Sequence, residues 1–266
     1  MLIDFSKEEF DIIVQAGQSN SEGCGLGDAA TPFVPNYNTW FLNSDYSLYM
    51  EQKGKSPLSP AHDCYITIAQ EKVVGNCIIG DFSLSFSAEY INNGRLDTGR
   101  KLLIIRSAVG GTGFSDSRWG ASDDLFLRML DMIRTAITLN PQNRLVAFLW
   151  HQGETDAMFN VDKDTHYKNL KKLIEIVRNT FECNELPFIA ADFVNQWKTD
   201  NMVICKPVVE AIREVCSTIG NAGFVETAEL QSNDQRLGNE DTIHFCREAI
   251  DQLGVKYFKA FMELRP

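Results

Sequence analysis

Four short stretches of this chain carry side chains able to do chemistry. In "GQSN" (Gly17 to Asn20) an apolar run from Ile12 to Ala16 stops at a glycine and delivers Gln18, Ser19 and Asn20. Ser19 is a candidate nucleophile. A serine hydroxyl is a poor nucleophile alone and needs a base within hydrogen-bond reach and a third group to orient that base. "EDTIHF" (Glu240 to Phe245) offers both, as Asp241 and His244 stand three residues apart just before the last helical segment. At that spacing, near a helix start, the two share a side. Asp241 then binds one ring nitrogen, fixes the tautomer and leaves the other nitrogen for Ser19. "VGGTGF" (Val109 to Phe114) and "HQGETD" (His151 to Asp156) supply Gly110, Gly111 and Gln152 as donors to a developing oxyanion.

Read singly, each has a plainer meaning. Ser19 suits a helix cap or turn, Asp241 with His244 suits a capping carboxylate beside a surface histidine, and the glycine pair suits an ordinary loop. A phosphate loop would need a Gly-Lys-Ser/Thr ending that is missing, and "GQSN" is not the G-x-S-x-G elbow. His151 adjoins Gln152 and suits either substrate contact or a packed strand end. His62 and His166 have surface or structural meanings. His151 with Glu154 has the look of a metal pair, but there is no HExxH and no dense His/Asp cluster.

The elements that must position these residues alternate. Short, nearly continuous apolar runs occupy Asp11 to Ala16, Lys101 to Ala108, Arg144 to His151, Pro187 to Phe193 and Ala222 to Thr227. Such runs fit strands buried on both faces. Between them, Asp123 to Leu139, Thr165 to Phe181, Lys206 to Ile219 and Arg247 to Leu264 show helical spacing, and a further helix is expected around Leu84 to Asn92. Alternation of this kind predicts right-handed crossovers and an α/β fold, a three-layer α/β/α sandwich on a five-stranded parallel sheet, flavodoxin-like. Strand-end loops then converge on the carboxyl edge, which is why residues so far apart belong together. Residues 1–266 are expected to form a single domain, with an irregular insertion at about 24–99 carrying Pro32, Pro35, Pro57 and Pro60. Trp40, Phe41, Trp119 and Trp197 suit either sugar stacking or the core.

Bulk properties exclude several partners. The 266 residues carry a formal charge of −11, which argues against nucleic acid and anionic membrane surfaces. No run of about 18 apolar residues occurs, so no spanning helix is expected. The acidic start "MLIDFSKEEF" lacks the basic and apolar regions of a signal peptide. Seven scattered cysteines without CxxC spacing fit reduced thiols, and the expected location is cytoplasmic. Nothing in the pattern sets an oligomeric state.

Taken together, "GQSN", "VGGT", "WHQGETD" and "DTIH" resemble the SGNH hydrolase superfamily. More narrowly, they resemble the branch with sialate O-acetylesterase-type domains and plant and bacterial carbohydrate acetylesterases. The resemblance runs over nearly the whole chain. It implies Ser19 as nucleophile, His244 as base and acid, and Asp241 as orienter. The implied oxyanion hole is the Ser19 amide, a Gly111 or Gly110 amide and the Gln152 side chain. Gln18, Asn20, His151, Glu154 and Asp156 would touch substrate or brace loops, Glu154 and Asp156 the latter. The implied activity is removal of O-acetyl groups from small carbohydrates, of sialic acid or xylo-oligosaccharide type, with no metal and no organic cofactor. Two alternatives stand beside it: a lipolytic SGNH esterase for longer acyl chains, and a carbohydrate-binding relative without turnover.

Overall fold

The computed structural model describes residues 5–45 and 63–264; Pro57, Pro60 and His62 lie outside them. A 3-10 turn at Phe5–Lys7 leads into β1 (Phe10–Gly17) and the four-residue α1 (Ser19–Glu22). Then come β2 (Thr39–Ser44), β3 (Cys64–Ile68), the hairpin β4 (Lys72–Val74) and β5 (Cys77–Ile79), and α2 (Phe82–Asn92). The remainder alternates: β6 (Lys101–Arg106), α3 (Asp124–Thr138), β7 (Arg144–His151), α4 (Glu154–Met158), α5 (Lys163–Thr180), β8 (Phe188–Ala191), α6 (Asn195–Asp200), α7 (Met202–Thr218), β9 (Ala222–Val225), α8 (Asn233–Leu237) and α9 (Arg247–Glu263).

The main sheet has seven described strands, in the order β3-β2-β6-β1-β7-β8-β9, rather than the expected five. The two extra strands come from the region read as an irregular insertion. β2 joins β6 in parallel, and β3 closes that edge antiparallel to β2. All other pairings are parallel. Helices α2 and α9 pack together, as do α5 and α7, and α3, α7 and α9 lie on the strands. The order reverses beside β1, the strand that delivers Ser19.

β1 is buried at every position, and burying an Ile or Val there contributes roughly 1.5–3 kcal/mol. Its one charged residue, Asp11, sits at the end away from Ser19. It accepts from Arg100 Nε at 2.6 Å, Arg144 Nε at 2.7 Å and the Tyr90 hydroxyl at 2.9 Å, so the buried carboxylate is fully partnered. Trp40, Phe41, Trp119 and Trp197 are all buried in the core and unavailable for stacking on a sugar. α9 crosses α2 so closely at Gly254 that a Cβ there would lie 2.1 Å from the Phe82 carbonyl oxygen.

Asp251, on α9, is a destabilising exception. Its Oδ2 is buried without a hydrogen-bond partner. Burial, then Glu71, raises its carboxyl to about 7, against the opposing pull of Arg247. A folded-state value above the unfolded one favours folding at low pH, and that contribution is lost as pH rises from about 4 to 7. Asp251→Asn stays neutral throughout. The variant is expected to match the wild type in denaturant midpoint near pH 4 and to exceed it at pH 8. An equal gain at both pH values would contradict this assignment.

Candidate active site

Gly17 ends β1 with φ of +128°, opposite His151 at the end of β7. A Cβ at Gly17 would lie 2.1 Å from the His151 carbonyl oxygen, so both the dihedral and the space demand glycine. The Gln18 amide then donates to that same oxygen at 2.9 Å. This bond turns the chain off the sheet and into α1, whose first residue is Ser19.

Asp241 and His244 lie in the loop between α8 and α9, just before the start of α9. The Asp241 carboxylate itself caps the loop, accepting from the His244 amide at 3.3 Å. This local turn gives the three-residue spacing its shared side. His244 Nδ1 is 2.9 and 3.0 Å from the two Asp241 oxygens, and His244 Nε2 is 2.9 Å from Ser19 Oγ. The imidazole and carboxylate are each about one-quarter exposed, open to a small molecule yet shielded enough to strengthen their interaction.

Asn233 completes this line and was not singled out from the sequence. Its Nδ2 donates to Asp241 Oδ2 at 2.8 Å and to the Cys24 carbonyl at 3.0 Å. Its Oδ1 accepts from the Leu26 amide, and its own amide donates to the His244 carbonyl. Every polar atom of its side chain is committed, so the amide cannot flip. The only sequence signal was the capping box of Ser232 and Gln235, which marks a helix start and nothing more.

The loop after β6 brings Gly110 beside Ser19, but the Gly110 amide donates to Glu22 Oε2 at 2.9 Å. It is therefore engaged by a protein carboxylate, contrary to its reading as a free oxyanion donor. Gly111 follows it, exposed and with φ of +69°. The Gln152 amide nitrogen lies 3.0 Å from Asp156 Oδ2 and 3.4 Å from the Thr112 carbonyl. Both neighbours are acceptors, so this end of the amide must be the nitrogen.

The remaining motif residues form a buried brace. Gln18 Oε1 accepts from the Thr155 amide at 3.1 Å. Asn20 donates to Glu154 Oε1 and to the Ile243 carbonyl, and accepts from the Phe245 amide, clamping the backbone on either side of His244. Glu154 is wholly buried; burial alone would raise its carboxyl, but His151 and Asn20 outweigh that and lower it. His151 is also fully buried, packed against Phe245 and bonded to the Tyr257 hydroxyl at 3.2 Å, so it cannot meet substrate.

Asp156 accepts from the Ser115 amide at 2.8 Å and sits 3.2 Å from His166 Nδ1. Against the upward push of burial, His166 and Ser115 hold its carboxyl down at about 2. His166 is fully buried, which settles its structural meaning over its surface one. The signal was present: positions 166, 170, 173, 174 and 177 form the buried stripe of α5. Among the described residues, no group of three or more His, Cys, Asp or Glu side chains could hold a metal ion.

The profile of a carbohydrate esterase family, the sialic acid-specific acetylesterases, matches residues 9–263. The chain belongs to this family. Among curated relatives, a probable 9-O-acetyl-N-acetylneuraminic acid deacetylase of Escherichia coli (strain K12) is 26% identical over 96 residues, 33% of this chain. A probable carbohydrate esterase of Arabidopsis thaliana is 24% identical over 171 residues, 63% of this chain. The matched stretches span 29% and 58% of those two proteins. The family fold extends further than these stretches. The crystal structure of NanS superposes with a TM-score of 0.75 at 16% identity, covering 97% of this chain and 98% of NanS. A carbohydrate acetylesterase from Xanthomonas citri gives 0.66 at 15% identity, over 96% of this chain and 56% of its own.

Proposed function

We propose that this protein is a serine esterase that removes O-acetyl groups from small carbohydrates. The observation that carries the reading is the unbroken line from Ser19 Oγ through His244 to Asp241, with 2.9 Å at each junction. In the proposed reaction Ser19 Oγ attacks the acetyl carbonyl while His244 Nε2 takes its proton. Asp241 stabilises the imidazolium. The carbonyl oxygen gains negative charge, met by the Ser19 amide, the Gly111 amide and the Gln152 side-chain amide. Gln152 turns one N–H from its long 3.4 Å contact with the Thr112 carbonyl to the oxyanion and keeps the other on Asp156. His244 returns the proton to the departing sugar oxygen, leaving acetyl-Ser19. Water, deprotonated by His244, attacks the acetyl carbon and releases acetate and free serine.

Family membership points to an O-acetylated sialic acid as substrate, with acetylated xylo-oligosaccharides as the second class. No metal or organic cofactor has a step in this scheme. The seven free cysteines suit a reducing compartment, so we place the protein in the cytoplasm. No helix of the described residues is long and apolar enough to cross a membrane.

The test is release of acetate from O-acetylated sialic acid and from acetylated xylo-oligosaccharides, alongside 4-nitrophenyl acetate and butyrate. The expected result is efficient turnover of acetate esters and a sharp drop at butyrate. Butyrate turned over as well as acetate would favour a lipolytic enzyme. Sugar bound without release of acetate would favour a binding protein.

A further inference from the structure

We propose that His166 is a positioning residue for ester hydrolysis, acting through Asp156 to hold the Gln152 amide as an oxyanion donor. The inference rests on the reading of Gln152 as that donor and concerns what keeps it in place. An oxyanion donor helps only if it is aimed before the charge develops. A glutamine amide has two nearly isosteric ends, and a flip would present oxygen in place of nitrogen.

Two acceptors oppose the flip, the Thr112 carbonyl at 3.4 Å and, closer and charged, Asp156. Its Oδ2 lies 3.0 Å from Gln152 Nε2, and a carboxylate there repels the Gln152 oxygen. A protonated Asp156 could instead donate to that oxygen and stabilise the flipped amide. Asp156 is completely buried, where a carboxylate pays a large desolvation penalty unless compensated. The Ser115 and Phe114 amides supply part of the compensation, at 2.8 and 3.3 Å. His166, equally buried, is the basic side chain in contact with it, its Nδ1 3.2 Å from Oδ2 in a close polar contact rather than an aligned hydrogen bond. The same ring stands edge-on to Phe114, with centroids 5.5 Å apart, and so also backs the loop whose amides hold Asp156. Three segments, the residue after β7, the first turn of α5 and the more distant loop after β6, thus converge on one carboxylate.

The test is a double-mutant cycle on 4-nitrophenyl acetate with His166→Phe, Gln152→Ala and the pair. Phenylalanine keeps the ring that faces Phe114 and removes the base. His166→Phe alone is expected to lower kcat about tenfold, the scale of one misplaced hydrogen bond, with KM nearly unchanged. Gln152→Ala is expected to lower kcat roughly 10²–10³-fold. Adding His166→Phe to Gln152→Ala is expected to cost nothing more, because its effect runs through the missing amide. Losses that multiply, or full activity in His166→Phe, would overturn the inference and leave the donor reading standing. Wild-type activity in Gln152→Ala would remove the donor reading itself. Should His166→Phe fail to fold, Asp156→Asn enters the same cycle with the same expected non-additivity, and multiplying losses there overturn the inference equally.

Discussion

Ser19→Ala is expected to lower kcat on 4-nitrophenyl acetate by roughly 10⁴–10⁶-fold, the scale seen when a nucleophile is removed from a serine triad elsewhere. The size follows from the mechanism. Without Oγ no acetyl-enzyme forms, and His244 Nε2 loses the group 2.9 Å away from which it takes a proton. What survives is the oxyanion hole and binding, which leave water to attack unaided. The substitution removes one atom from a half-buried position on α1, so the backbone brace is untouched. The Gln18 amide still reaches the His151 carbonyl, and Asn20 still clamps the backbone around His244. Thermal unfolding is therefore expected to coincide with that of the wild type. This separates lost chemistry from lost fold. A folded Ser19→Ala protein retaining more than a few per cent of activity would place the nucleophile elsewhere and remove the proposed mechanism.

The parts of this molecule legible in its sequence are those whose pattern is set by burial on both faces. β1, β6, β7, β8 and β9 read as strands because their side chains have no solvent side, and their ends converge because the sheet is parallel. β2 was missed because "TWFL" is too short an apolar run to separate from loop, in a stretch punctuated by prolines. β3 was missed because an edge strand is only half covered, and its burial alternates between partial and exposed. At the site, residue types that do chemistry were visible at their motif positions. Of the groups that hold them, those inside the motifs, Gln18, Asn20, Glu154 and Asp156, were visible, and those outside were not. Asn233 and His166 act through contacts that span 8 residues to Asp241 and 10 to Asp156 by way of folded loops; the periodicity of α5 encodes the burial of His166 but not its partner. The bond from the Gly110 amide to Glu22 crosses 88 residues, so its engagement was invisible in the glycine pair itself.

The same geometry ranks the support around His244. Asp241→Asn is expected to lower kcat about 10⁴-fold while leaving KM and fold largely intact, through the wrong tautomer. An asparagine amide there offers Nδ2 to the ring nitrogen that Asp241 now accepts from at 2.9 Å. The imidazole proton then moves to Nε2, and the nitrogen facing Ser19 can no longer accept. Asn233→Ala makes the informative contrast. It removes a donor 2.8 Å from Asp241 Oδ2, but the carboxylate keeps its charge and both of its bonds from His244. The loss is one hydrogen bond to a charged group, worth about 1.5–3 kcal/mol, or roughly ten- to a hundredfold in kcat. Part of that appears as lower stability, because Asn233 also ties down Cys24 and Leu26. Measuring kcat, KM and melting temperature for both variants checks the ranking. An Asp241→Asn enzyme no more impaired than Asn233→Ala would mean that the carboxylate only supports the loop. His244 would then act without an orienting charge.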